Sequence, residues 1–266
     1  EMSWSIEDLR SFQQQHETNE VILNHVKWQY YDLGKLESDF AIVFLHGTTG
    51  SKEIFWIQMQ SLMKTYRIVS FDLPPIIGLD KLSKGIYEIL ISCGIKEIVL
   101  VGTSFGGYLA QFFSFNYTTI VQKLVLSNTF ITTHLYNQKY KKLLMIEKFI
   151  PNFLIKRFMK KGLKSIEHDQ TRDYLFVQLE QHLTKEILMA RLRSFITNDI
   201  INKSPTNQIL IIETIEDPLV PKQLQNELKK TYPQASVKKF RKKANHFPYL
   251  IMGDEYTQVL IEFLKS

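Results

Sequence analysis

A serine lies between two glycines in Gly102-Thr103-Ser104-Phe105-Gly106, directly after the apolar run Glu97 to Val101 and before Gly107-Tyr108-Leu109-Ala110. A strand, the pentapeptide G-x-S-x-G and an apolar helix in that order describe a nucleophile elbow, a sharp turn that lifts a serine hydroxyl clear of the backbone. The turn strains the serine and tolerates little bulk on either side, which is what Gly102 and Gly106 supply. A serine hydroxyl is a weak nucleophile, so a base must take its proton and a third group must orient that base. Both follow in chain order. The segment Glu213-Thr214-Ile215-Glu216-Asp217-Pro218 ends an apolar run and offers Asp217 as the acid, with Glu213 and Glu216 as rivals; Ala244-Asn245-His246-Phe247-Pro248 offers His246 as the base.

Acyl transfer also needs donors for the oxyanion that forms on the attacked carbonyl. One is the backbone N–H of Phe105, at the positive end of the helix that follows the serine. The other is expected from Thr48 in Leu45-His46-Gly47-Thr48-Thr49-Gly50, where His46 reads as a residue that orients the loop by hydrogen bonding. Phe130 and the downstream Leu143, Phe149 and Phe153 are candidates for an apolar acyl-binding wall, with plain core an equal reading for the last three.

These residues need a scaffold. Phe40–Leu45, Ile68–Phe71, Glu97–Val101, Leu124–Leu126 and Ile209–Ile212 are short, β-branched apolar runs of the kind buried on both faces of a parallel sheet. Helical patterns lie between them, as in Leu82, Ile86, Ile89 and Leu90 after a capping Asp80. Strand and helix alternate, which predicts an α/β fold with helices on both faces of the sheet. Trp28, Tyr30 and Asp32 alternate as in an antiparallel edge hairpin. The alternation stops between about 132 and 202, where several helices follow one another, one of them opened by Pro151. The expected organisation is a core of residues 1–131 and 203–266 with a helical cap inserted at 132–202.

These motifs together resemble the α/β-hydrolase superfamily from about Glu20 to Ser266, and within it the chain is similar to the maspardin family. The likeness rests on Gly102–Gln111 (GTSFGGYLAQ), Leu124–Phe130 (LVLSNTF) with the basic, aromatic helices after it, and His246–Leu250 (HFPYL). The short connection Leu73-Pro74-Pro75-Ile76-Ile77-Gly78 after Asp72 is also of the maspardin kind and takes away part of the usual pocket wall. The superfamily implies a serine hydrolase that cleaves a carboxylic ester or related acyl compound. Maspardin-like proteins imply a second reading, a non-catalytic binding or adaptor protein. Some of them lack the triad histidine, whereas this chain keeps His246.

Composition narrows the rest. The 266 residues are 44% hydrophobic and 23% charged, ordinary for a folded domain with a sizeable core. The first residues, EMSWSIEDLRSFQQQ, have neither a basic nor an apolar leader region, and no apolar run is long enough to span a bilayer, so a cytoplasmic protein is expected. The single cysteine, Cys93, is expected to be buried and inert. No dinucleotide, phosphate-loop or zinc-protease motif occurs, so no cofactor is implied. A net charge of +6 does not point to nucleic acid. Its distribution is uneven, however: residues 131–164 hold nine basic side chains and one acidic one, a net +8 interleaved with apolar residues. Such a face is either the solvated outside of a lid or a docking surface for a protein partner or an anionic membrane.

Overall fold

A computed structural model describes residues 4–196 and 208–266. Helix α1 (Ile6–Gln15) leads into a hairpin of β1 (Asn19–Leu23) and β2 (Val26–Gly34). Its two-residue turn, Asn24-His25, has φ of 50° and 65°, the left-handed pair that matches the twist of a tight hairpin. Then come β3 (Phe40–Leu45), α2 (Trp56–Leu62), β4 (Arg67–Asp72), α3 (Leu79–Ser92), β5 (Glu97–Thr103), α4 (Phe105–Asn116) and β6 (Val121–Ser127). Four helices follow, α5 (His134–Ile146), α6 (Asn152–Leu163), α7 (Asp169–Gln181) and α8 (Lys185–Ile196). The chain returns to the sheet with β7 (Gln208–Thr214), α9 (Lys222–Thr231) and β8 (Ser236–Phe240), then ends in α10 (Pro248–Ile251) and α11 (Gly253–Lys265).

The eight strands form one sheet in the order β1-β2-β4-β3-β5-β6-β7-β8, antiparallel at β1, β2 and β4 and parallel from β4 to β8. Successive residues of the parallel strands point to opposite faces. Ala41, Val43, Leu45, Leu100, Leu124 and Ile211 pack with α3, α4 and α8, while Ile42, Phe44, Val99, Val101, Val125 and Ile212 pack with α1, α2 and α11. Two cores, one on each face, explain why those strands read as continuous apolar runs rather than alternating ones. A buried fork from Arg67 to Asp32, at 2.8 and 2.6 Å, ties β2 to β4.

Three local expectations shift. The cap of α3 is Gly78 at φ 117°, and Asp80 sits one residue inside the helix. Pro151 is the residue before α6 rather than its first. Cys93 is half-buried, with its sulfur 3.8 Å from the Tyr30 hydroxyl. Strand β8, Ser-Val-Lys-Lys-Phe, escapes the sequence pattern because an edge strand needs little apolar surface; only Phe240 is buried.

The helices α5 to α8 lie between two strands that pair directly, Lys123 opposite Gln208. Their inner residues, including Ile155, Leu179, Leu188, Leu192 and Phe195, belong to the same core as β5 and α4. The expected end of the insertion, at 202 and 203, lies outside the described residues.

Candidate active site

The parallel register brings the loops with chemistry to one edge of the sheet. Leu45 is level with Gly102, Thr103 with Ser127, Ser127 with Ile212, and Thr214 with Phe240. The segments after β3, β5, β6, β7 and β8 therefore leave side by side from the carboxyl ends of the strands, where open α/β sheets place their ligands.

Ser104 stands between β5 and α4 at φ 51° and ψ −122°, a conformation an L-residue adopts only when its surroundings hold it there. The holding contacts are its N–H to the Ser127 carbonyl (3.0 Å), the Thr129 hydroxyl to its own carbonyl (2.6 Å), and the N–H groups of Gly107 and Tyr108 to that same carbonyl. The flanking glycines are steric necessities. A β-carbon on Gly102 would lie 2.4 Å from the Gly106 carbonyl oxygen, and one on Gly106 would lie 2.2 Å from that of Leu45. Phe105 is the first residue of α4, so its N–H belongs to the helix-terminal donors without an intrahelical acceptor.

Of the three carboxyl groups at the end of β7 and in the turn after it, only Asp217 meets the histidine. His246 Nδ1 lies 3.0 and 2.9 Å from the two Asp217 oxygens, and both residues are buried. An ionised carboxylate can only accept, so the Nδ1 proton points at Asp217 and the Nε2 lone pair is left as the basic site. Asp217 is itself fixed by the N–H groups of Leu219 (2.8 Å) and Val220 (3.1 Å) and by the Asn128 side-chain amide (2.8 Å). Glu213 turns toward Lys229 and Lys239, and exposed Glu216 pairs with Lys242. His246 is presented by Asn245 at φ 54°, whose side-chain oxygen accepts the His246 N–H at 2.7 Å.

The Thr48 loop is a turn closed by the Gly50 N–H on the Gly47 carbonyl, 3.1 Å. His46 orients it: Nδ1 donates to the Gly47 carbonyl (2.7 Å) and Nε2 accepts the Leu73 N–H (3.0 Å). Full burial, reinforced by the cation of Arg191, pushes this imidazole well below its ordinary pKa and keeps it neutral. Sequence reasoning missed Arg191, on α8. Its guanidinium is buried and donates to the carbonyls of Thr48 (2.8 Å), Gly50 (3.1 Å) and Leu73 (2.9 Å). Burial lowers its pKa to about 10, still high enough to keep the charge. One turn on, the Ser194 hydroxyl accepts the Gly78 N–H (2.9 Å) and lies 3.1 Å from the Ile76 carbonyl, so α8 also pins the short connection after β4. Asn128 was missed too. Nothing in a lone arginine or asparagine reports a distant carbonyl or carboxylate; positive φ at Asn128 (44°) is the only local sign, and it belongs to the fold.

The proposed apolar wall divides. Phe130 is buried and packs with Tyr108, Tyr136 and Phe195, which also touches Phe105. Leu143 is half-buried against the same core. Phe149 and Phe153 are not walls of an enclosed pocket: they are 86% and 66% exposed on the outside of the helical segment. The inward positions are taken by Ile150, Ile155 and Met159, because a helix can present only one of its faces to the core.

The Ndr family model matches residues 70–243, a stretch that includes Ser104 and Asp217 and ends before His246. Maspardin of Danio rerio is 27% identical over 239 residues, covering 86% of this chain and 75% of that protein. Maspardin of Homo sapiens is 26% identical over 252 residues, 89% of this chain and 80% of that one. Solved structures with the same fold include a hydrolase from Pseudomonas aeruginosa PA01, with a TM-score of 0.82 at 13% identity over 94% of this chain and 99% of the other. A thermophilic esterase from Thermogutta terrifontis has a TM-score of 0.80 at 16% identity, over 94% and 98%. With well over half of its length matched and the sheet of these hydrolases, the chain belongs to the Ndr family and has the α/β-hydrolase fold.

Proposed function

We propose that the chain is a cofactor-independent serine hydrolase that cleaves a carboxylic ester or a related acyl compound with an apolar acyl group. The carrying observation is the buried Asp217–His246 contact, which leaves Nε2 basic on the sheet edge where Ser104 is held in its strained turn. In this mechanism Ser104 Oγ attacks the acyl carbon while its proton passes to His246 Nε2. The N–H groups of Thr48 and Phe105 hold the carbonyl oxygen as it becomes negative. The imidazolium, stabilised by Asp217, returns the proton to the departing alcohol oxygen as the C–O bond breaks. Water then repeats the sequence on the acyl-enzyme, releasing the acid and freeing Ser104. Phe130 and Leu143 are the proposed contacts for the acyl chain.

The similarity to maspardin keeps a binding role as the second reading, in which the same fold serves a partner without turnover. Fluorophosphonate labelling separates the two. Ser104 of the parent should label and hydrolyse short aryl esters, whereas Ser104→Ala should do neither and His246→Ala should lose a roughly 10⁴- to 10⁶-fold share of turnover. A parent protein that stays folded and unlabelled would leave only the binding role.

A further inference from the structure

The outer face of α5, the short 3₁₀ turn Glu147–Phe149 and α6 combines two properties that seldom share a surface. Met145, Ile146, Phe149, Phe153, Leu154 and Phe158 are all exposed, and the three phenylalanines among them are the exposed phenylalanines of the described residues, at 86%, 66% and 67%. On α6 the outward residues Phe153, Leu154, Arg157, Phe158 and Lys161 fall at i, i+1, i+4, i+5 and i+8, a single stripe. The inward ones, Ile155, Met159 and Leu163, pack on the cores. These rings are therefore surplus to folding.

The same face is strongly cationic. Lys141, Lys142, Lys148, Arg157, Lys161 and Lys164 are exposed and make no salt bridge among the described residues. Glu147, the only acid between 131 and 164, is turned inward onto Arg193 at 2.8 Å and offsets none of this charge at the surface. Lys160, by contrast, is engaged by Glu180. Exposed rings set among unpaired cations suit a plane with negative charge at its surface and an apolar layer a few ångströms below. No helix among the described residues is long and apolar enough to cross a membrane, so such contact is peripheral.

We propose that this face docks on a bilayer surface rich in anionic phospholipid headgroups, the lysines pairing with phosphates and Phe149, Phe153 and Phe158 entering the boundary with the acyl chains. The proposal is independent of turnover, since none of these residues belongs to the catalytic machinery. The test is co-sedimentation of the full chain with phosphatidylcholine vesicles and with vesicles containing phosphatidylserine, at low and at near-physiological salt. The protein should pellet with the anionic vesicles, less so as salt shortens the screening length. Lys141→Ala and Lys142→Ala should each weaken partitioning roughly five-fold. The triple variant Phe149→Ser, Phe153→Ser, Phe158→Ser should lose pelleting at near-physiological salt while its circular dichroism and monomer mass stay those of the parent. Ser104→Ala should pellet like the parent, which keeps this result separate from that of the hydrolase reading. Negligible or equal pelleting with both vesicle types overturns the proposal. So does a parent that is a dimer and becomes monomeric in the triple phenylalanine variant without any lipid binding, because a second copy would then be the occupant of the face.

Discussion

At the residue scale the distinctive feature is how many independent contacts fix the Asp217 carboxylate. Two backbone N–H groups, one amide side chain and the imidazole converge on two oxygens. Hydrogen bonds to a charged acceptor contribute about 1.5–3 kcal/mol each. Asp217→Asn should therefore lower kcat by roughly 10³- to 10⁴-fold, because an amide in that place presents a donor to Nδ1 and favours the wrong tautomer. Glu213→Gln and Glu216→Gln should stay near the parent, their carboxylates being occupied by lysines. Asn128→Ala removes one positioning contact and should cost about ten-fold in kcat with KM unchanged. Steady-state kinetics on a single ester across the four variants checks the ordering. An Asp217→Asn variant as active as the parent would transfer the acid role elsewhere or remove it.

At the element scale, α8 holds the loops beside Ser104 in place. Arg191 and Ser194 fall one turn apart and between them bind the loop after β3 and the connection after β4. Arg191→Met keeps bulk but leaves the part-buried Thr48 carbonyl and the buried carbonyls of Gly50 and Leu73 without their donor, the buried two costing about 1–3 kcal/mol each. The folded variant should melt lower and label at Ser104 at least ten-fold more slowly, since loss of one oxyanion donor by itself costs about 10²- to 10³-fold in related chemistry. Arg191→Lys, with one point charge in place of a fork, should recover only part of the rate. If Arg191→Met labels at the parental rate below its melting point, α8 supports the fold alone and does not position the Thr48 loop.

At the scale of the whole molecule, stability depends on pH through His46. Its folded pKa lies well below the ordinary value, chiefly from burial, so between the two values the unfolded chain binds a proton that the folded chain refuses. Stability is then fully present above the ordinary histidine pKa near 6.5 and declines as pH falls below it, by at most about 1.4 kcal/mol per pH unit from this group. Urea titrations between pH 7.5 and 5 should show that decline, and His46→Gln should be less stable at pH 7.5 yet flatter across the range. A parental slope that persists in His46→Gln would place the linkage in another group.

Much of this was legible in the sequence because it depends on local order. Strand, G-x-S-x-G and helix are contiguous, five of the six parallel strands are apolar through both faces, and Asp217 follows one of them at the edge from which Ser104 projects. Contiguity also fixed the charge of residues 131–164, a sum over side chains that folding does not alter. What the tertiary structure alone decided is which groups meet across gaps in the chain. Asp217 over Glu213 and Glu216 was a matter of which carboxylate the turn after β7 aims at His246. Arg191 reaches Thr48 across 143 residues, a contact no local pattern encodes. The fate of Phe149 and Phe153 was likewise open, since an amphipathic segment has aromatic residues on more than one side and only packing chooses the buried one. It chose Ile155 and Met159, and left the rings facing outward among the lysines.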